Sequence, residues 1–64
     1  MNEMIIKEIA VNLNITEKQV MTVLELLGEG NTVPFIARYR KEATGALDEE
    51  MIRSINEVYE YQVN

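Results

Sequence analysis

The chain has 64 residues, with six Lys and Arg against eleven Asp and Glu, a formal net charge of −5, and neither Cys nor His. It can form only one small domain, and a domain of this size usually needs a disulfide, a metal or a partner for stability. The composition excludes a disulfide and an ordinary zinc site, so we expect no cofactor. A partner, or additional chain, remains as the source of the further stability.

Hydropathy indicates neither a membrane span nor a secretory signal. The longest apolar runs are three residues, as in Met4–Ile6 and Phe35–Ala37, far short of the length that crosses a bilayer. The absence of Cys fits a cytoplasmic protein, which is the expected location. The acidic balance argues against broad binding to nucleic acid or anionic membranes, but leaves a local basic patch open.

Helical periodicity dominates the chain, and the predicted fold is all-α, with four short helices in a helix-turn-helix-like bundle. The first helix is predicted over about Glu3 to Leu13, with Ile5 and Ile9 on its apolar stripe. Asn14 follows as a left-handed stop.

The second helix has the clearest start signal in the chain. Thr16 and Gln19 have capping-box spacing, and an apolar stripe from Val20 to Leu27 follows. Gly28 and Gly30 end the helix and allow a tight reversal.

The third helix is predicted to open at Thr32 or Val33, with Pro34 in its first turn, and to end at Thr44–Gly45. At 100° per residue, its apolar side chains fall on one arc, which we expect to be buried. That arc consists of Phe35, Ile36 and Tyr39.

The fourth helix is predicted to begin after Asp48 as N-cap. Its apolar stripe of Ile52, Ile55 and Tyr59 is still running near the last residue, Asn64. We therefore expect the helix to continue beyond the chain, as in a fragment of a longer protein.

Several side chains that suggest chemistry have simpler structural explanations. Helix capping accounts for the acidic run Asp48–Glu50, and no His or Cys supplies a base or a nucleophile. Catalysis and metal binding are therefore not expected. Met4, Met21 and Met51 have helical spacing and are expected to fill the core.

Positive charge is concentrated in one segment. Arg38, Arg40 and Lys41 are three of the six cations, whereas residues 1–37 and 42–64 are both acidic. On a continuous helix these three side chains face outward together. With Tyr39 as a stacking group, they form a candidate nucleic-acid contact made of Arg38, Tyr39, Arg40 and Lys41.

A structural explanation of the same cations is favoured at this stage. They lie near the negative C-terminal end of the predicted third helix, and Arg38 has the spacing to pair with Glu42. Sequence-specific reading of a DNA major groove is not expected, because the first residues of the helix have no side-chain donor. Those residues are Val33, Pro34 and Phe35.

The run Gly30–Gly45, with sequence GNTVPFIARYRKEATG, is followed by Leu47–Glu49 and resembles the N-terminal signature of the Tex family of bacterial transcription accessory proteins. The apolar pattern of the two preceding helices is similar to that of the family's opening helices, but the match is looser than in the signature. Ala46 stands where many members have a second Gly, and an Ala there must adopt a conformation that it tolerates or carry modest strain.

The resemblance implies that residues 1–64 are the N-terminal helical domain of a much longer cytoplasmic protein. Such proteins contain a ribonuclease-H-like domain, helix-hairpin-helix elements and a C-terminal OB-fold domain to which nucleic-acid binding is chiefly attributed. The implied role is a scaffold whose partners are the rest of the parent chain and, through it, RNA or DNA. The family signature supplies no catalytic residue.

Two other functions remain open from the residues themselves. The basic segment would make a weak phosphate-backbone contact of its own. Alternatively, the exposed stripe of the last helix would pair between copies and make the fragment a homodimer.

Overall fold

A computed structural model describes residues 3–63, and within that range it contains five helices and no strand. The helices are α1 (Glu3–Leu13), α2 (Glu17–Gly28), α3 (Val33–Tyr39), α4 (Lys41–Thr44) and α5 (Glu49–Val63). The all-α prediction is confirmed. No helix in this range has the length and apolar character needed to cross a membrane. The predicted continuation of the last helix past Asn64 lies outside the described residues.

Local signals in the sequence set the helix ends. Asn14 has a φ of 58°, as expected of a left-handed stop after α1. The capping box of α2 is formed in both directions: the Gln19 N–H donates to Thr16 Oγ1 at 3.0 Å, and the Thr16 N–H donates to Gln19 Oε1 at 2.9 Å. Before α5, Asp48 Oδ1 accepts from the Met51 N–H at 2.8 Å.

The turn between α2 and α3 fixes where α3 begins. Gly30 has a φ of 98°, a backbone conformation that favours glycine. Asn31 Nδ2 donates to the Leu26 carbonyl oxygen at 2.8 Å, which ties the turn to the end of α2. Thr32 is the N-cap, with Oγ1 accepting from the Phe35 N–H at 3.3 Å.

The predicted third helix is broken into two, so the prediction of four helices was wrong by one. Arg40 lies at the break with φ −123° and ψ 35°. Its N–H donates to the Ile36 carbonyl at 3.0 Å and completes α3, while its carbonyl accepts from the Ala43 and Thr44 N–H groups at 3.2 Å and opens α4. Each side of the break thus keeps its backbone hydrogen bonds while the direction of the chain changes.

The core is assembled around α5, which packs against α1, α2 and α3. Ile52 and Ile55 of α5 are both 0% exposed. The stripe that was expected to be exposed for self-association is therefore covered at these positions within the domain itself. The buried apolar side chains are Ile6, Ile9, Ala10, Val20, Val23, Leu24, Ile36, Ile52 and Ile55.

Two predictions of burial were wrong. Of the arc predicted for α3, only Ile36 is buried, whereas Phe35 is 40% exposed and Tyr39 is 59% exposed. The core contacts of this seven-residue helix are made by Ile36, with Val33 and Ala37 packed beside it, so its two rings remain at the edge. Met4 and Met21 are likewise 80% and 44% exposed, whereas Met51 is half-buried and packs against the core, as predicted.

Candidate nucleic-acid interface

An open groove of about 520 Å³ runs along α3 toward the start of α5. It combines apolar and cationic side chains, and one carboxylate stands at its α5 side. The lining residues are Pro34, Phe35, Ala37, Arg38 and Tyr39 of α3, Lys41 of α4 and Glu49 of α5.

The structure places three of the four predicted contact residues on this groove and leaves the fourth out. Arg38, Tyr39 and Lys41 line it, and all three are exposed. Arg40 is also exposed but is not part of the lining. The reason is the break at Arg40, because the spacing of 100° per residue does not continue through a residue with non-helical backbone.

The structural explanation that the sequence favoured for the cations fits Arg38 and Arg40 better than Lys41. Arg40 is the C-cap of α3. Arg38 lies in the last turn of α3, where a cation is favourable. Lys41 lies beyond the end of α3, in the single turn that forms α4. The predicted pair between Arg38 and Glu42 is not formed: the ion pair present in residues 3–63 joins Arg53 to Glu49.

That ion pair affects the groove directly, because Glu49 is its acidic lining residue. Arg53 Nη2 lies 2.7 Å from Glu49 Oε2, one helical turn along α5. The carboxylate is thus partly neutralised from within α5 and does not engage Arg38 or Lys41. Both cations keep their charge available at the groove.

Two aromatic rings form the apolar wall of the groove. Phe35 and Tyr39 are one helical turn apart, with ring centroids separated by 5.1 Å and planes inclined at 47°. This tilted arrangement is a favourable one for aromatic pairs, and it holds both rings against the surface of α3. Phe35 was missed as a site residue because its apolar character predicted burial; its spacing of four residues before Tyr39 is the signal that relates the two.

The groove therefore offers two kinds of recognition. Arg38 and Lys41 can donate to anionic oxygens, and Tyr39 presents a ring beside them. Within residues 3–63, no group of three or more Asp or Glu side chains is placed to hold a metal ion.

Comparison with known proteins relates nearly the whole chain to a single family. The family model for the Tex-like protein N-terminal domain matches residues 3–64. An uncharacterized protein YdcI of Bacillus subtilis (strain 168) is 50% identical over 58 residues, or 91% of this chain. The transcriptional accessory protein Tex of Neisseria gonorrhoeae is 53% identical over 49 residues, or 77% of the chain, and protein tex of Bordetella pertussis is 51% identical over 51 residues, or 80%.

The chain spans less than a tenth of the length of these relatives. It covers 8% of the Bacillus protein and 6% of each of the other two. No solved structure matches it.

Proposed function

The chain belongs to the family of Tex-like protein N-terminal domains, and we propose that it serves as the N-terminal helical scaffold of a Tex-like transcription accessory protein. The observation that carries this proposal is the match of residues 3–64 to the family model. The relatives are much longer proteins, of which this chain covers only 6–8%. One relative is named as a transcriptional accessory protein, and the proposal extends that role to the parent of this chain.

In this proposal the parent protein binds RNA or DNA chiefly through a C-terminal OB-fold domain that lies outside this chain. The domain itself has no catalytic role, in keeping with a sequence that contains neither His nor Cys. The parent protein acts in the cytoplasm, where the transcription machinery of bacteria is found.

In this proposal, three exposed apolar side chains on the outside of α1 and α2, set among charged ones, form the docking face of the scaffold. Val11 is 74% exposed, and Met4 and Met21 are exposed as well. Met4 borders a groove shared with Met21 and a second groove shared with Val11, so the three side chains form one surface, called here the α1–α2 face. Exposed apolar surface of this kind is typical of an interface.

The occupant that we propose for the α1–α2 face is the rest of the parent chain. More than nine-tenths of each matched relative lies outside the region that this chain covers, which provides the partner surface within the same molecule. A partner of this kind would also add to the stability of a domain of 64 residues.

Hydrogen exchange compares the domain alone with the domain in a full-length Tex-like parent. We expect the amides of α1 to exchange more slowly in the full-length protein, because docking covers its outer face. Equal exchange in both proteins would overturn the scaffold proposal.

A pair of matched substitutions tests which face docks. Val11→Glu should leave the unfolding midpoint of the isolated chain nearly unchanged, since the side chain is exposed, and lower that of the domain in the parent. Ala43→Glu is the control, because Ala43 is exposed on α4, away from the α1–α2 face. Equal effects of the two substitutions in the parent would rule out this face.

A deletion tests where the parent binds nucleic acid. Removing the N-terminal domain should lower RNA affinity less than removing the OB-fold domain does. The reverse order would contradict this part of the proposal.

A further inference from the structure

We propose that the groove along α3 binds single-stranded nucleic acid weakly, with Arg38 and Lys41 at the phosphates and Tyr39 against a base. This site is separate from the α1–α2 face and from the OB-fold domain of the parent protein. Its existence does not depend on the scaffold role.

The first support is that, in the part of the chain that the structure describes, both cations are unpaired, including Arg38, for which a pair with Glu42 was predicted. Within residues 3–63, neither Arg38 nor Lys41 lies within ion-pair distance of a carboxylate. Glu49, the acidic residue beside them, is engaged by Arg53 at 2.7 Å. Each cation can therefore neutralise a phosphate, and the resulting release of counterions from the nucleic acid is the main source of affinity.

The second support is the exposed ring between the cations. Tyr39 is 59% exposed, and Phe35 braces it from one turn away with a centroid separation of 5.1 Å. Proteins that bind single strands combine a cationic groove with aromatic side chains on which bases stack. A braced and exposed ring loses little conformational freedom when a base stacks on it.

The shape of the site favours a single strand over a duplex. The groove has a volume of about 520 Å³, within the roughly 300–1,000 Å³ of a typical small-ligand pocket and far smaller than a duplex would need. Helix α3 has seven residues and begins with Val33 and Pro34, which have no side-chain donor for base edges. An unstacked base, by contrast, offers the face that the groove can use.

The net charge of −5 sets the expected strength. The mean field of the protein repels a polyanion, so binding should be weak, and the phosphate contacts themselves lose affinity as salt rises. Two phosphate contacts on a single strand predict a slope of about −1.4 for the logarithm of affinity against the logarithm of salt.

The test is a titration of the 64-residue chain into a short fluorescein-labelled oligouridine at low salt, followed by anisotropy. We expect Arg38→Ala/Lys41→Ala to lower the affinity at least about tenfold and to flatten the salt slope. Arg40→Ala is the matched control, because it removes one charge from the same segment but not from the groove. It should change affinity no more than about twofold.

The contribution of the ring is tested by two substitutions at one position. Tyr39→Phe keeps the ring and should bind like the unmodified chain, whereas Tyr39→Leu should bind about tenfold more weakly. Circular dichroism of each variant establishes that it is folded, which the exposure of Tyr39 leads us to expect.

Three outcomes would overturn the proposal. One is the absence of binding at low salt by a folded chain. The second is a loss for Arg40→Ala as large as that for the Arg38→Ala/Lys41→Ala double variant, which would indicate unspecific attraction. The third is tighter binding of polyglutamate than of the oligouridine, which would assign the groove to an acidic protein surface. None of these outcomes bears on docking through the α1–α2 face, so the two proposals fail separately.

Discussion

Gln19 Nε2 donates a hydrogen bond to the main-chain carbonyl oxygen of Thr44 at 3.0 Å, across 25 residues of sequence. The Oε1 atom of the same side chain accepts from the Thr16 N–H at 2.9 Å. One amide group therefore completes the N-terminal cap of α2 and satisfies a carbonyl at the C-terminal end of α4. Because α4 begins at Lys41, directly after Arg40, this contact also fixes the end of the segment that borders the groove.

Replacing Gln19 with Glu separates the two roles. The carboxylate still accepts from Thr16, but it has no donor for the Thr44 carbonyl, and we expect the free energy of unfolding to fall by about 1 kcal/mol. Gln19→Ala loses both hydrogen bonds and should cost about 2 kcal/mol. Urea denaturation measures both values.

Gln62 provides the control for this pair. It is exposed near the end of α5, so Gln62→Ala should change stability by less than about 0.5 kcal/mol. If Gln19→Glu is as stable as the unmodified chain, the contact with Thr44 contributes nothing.

Gly45 lies beside this contact and cannot be replaced without disturbing it. It has a φ of 72°, and an added Cβ would stand 2.7 Å from Gln19 Nε2. We expect Gly45→Ala to destabilise the domain by about 2–3 kcal/mol, from left-handed strain and from displacement of the Gln19 side chain. Thermal unfolding followed by circular dichroism measures the loss.

Replacement of Gly28 by Ala should change the stability of the domain in the opposite direction. Gly28 lies in α2, and nothing lies within 4 Å of the Cβ position. Gly28→Ala should stabilise the domain by about 0.5–1 kcal/mol.

A double-mutant cycle tests whether Gly45 and Gln19 are coupled. Gly45→Ala should destabilise the domain less in a Gln19→Ala background than in the unmodified chain. Simple additivity of the two effects would show that the residues are not coupled.

Ala46 carries the strain that its place in the family signature suggested. It is a non-glycine residue at a φ of 66°, directly after Gly45. Ala46→Gly should stabilise the domain by about 0.5–1 kcal/mol, because relief of strain outweighs the added freedom of the unfolded chain. Ala43→Gly, in the helical backbone of α4, should destabilise by up to about 1 kcal/mol. Destabilisation by both would show that Ala46 is unstrained.

The features that the sequence predicts well are those set by near neighbours in the chain. The capping box of Thr16 and Gln19, the N-cap Asp48 and the left-handed Asn14 each depend on a few consecutive residues, and each is formed as predicted. Gly45 likewise takes positive φ as expected.

What the sequence does not reveal depends on contacts between distant segments. The periodicity of α3 places Phe35 and Tyr39 on an arc, but which arc enters the core is decided by α2 and α5. The break at Arg40 similarly depends on packing of α4 against α2, including the hydrogen bond from Gln19. A continuous helix was predicted because nothing within the segment itself forbids one.

For the candidate site, the same distinction explains what was found and what was missed. The concentration of cations is visible in the sequence, and so are Arg38, Tyr39 and Lys41 as members of the site. The exclusion of Arg40 and the presence of Glu49 are not, because Glu49 reaches the groove from another helix.

Arg53 should influence nucleic-acid binding although it does not line the groove. Its guanidinium lies 2.7 Å from Glu49, and Arg53→Ala would leave that carboxylate unneutralised beside the bound phosphate. We expect oligouridine affinity to fall about two- to threefold at low salt, with a change in stability below about 0.5 kcal/mol because the pair is exposed. Adding Glu49→Gln to Arg53→Ala should restore the affinity, because it removes the uncompensated charge.

Anisotropy titrations of the single and the double variant measure these changes in affinity. A loss that Glu49→Gln does not restore would mean that Arg53 contacts the nucleic acid directly, and no loss at all would mean that Glu49 lies too far from the phosphates to act on them.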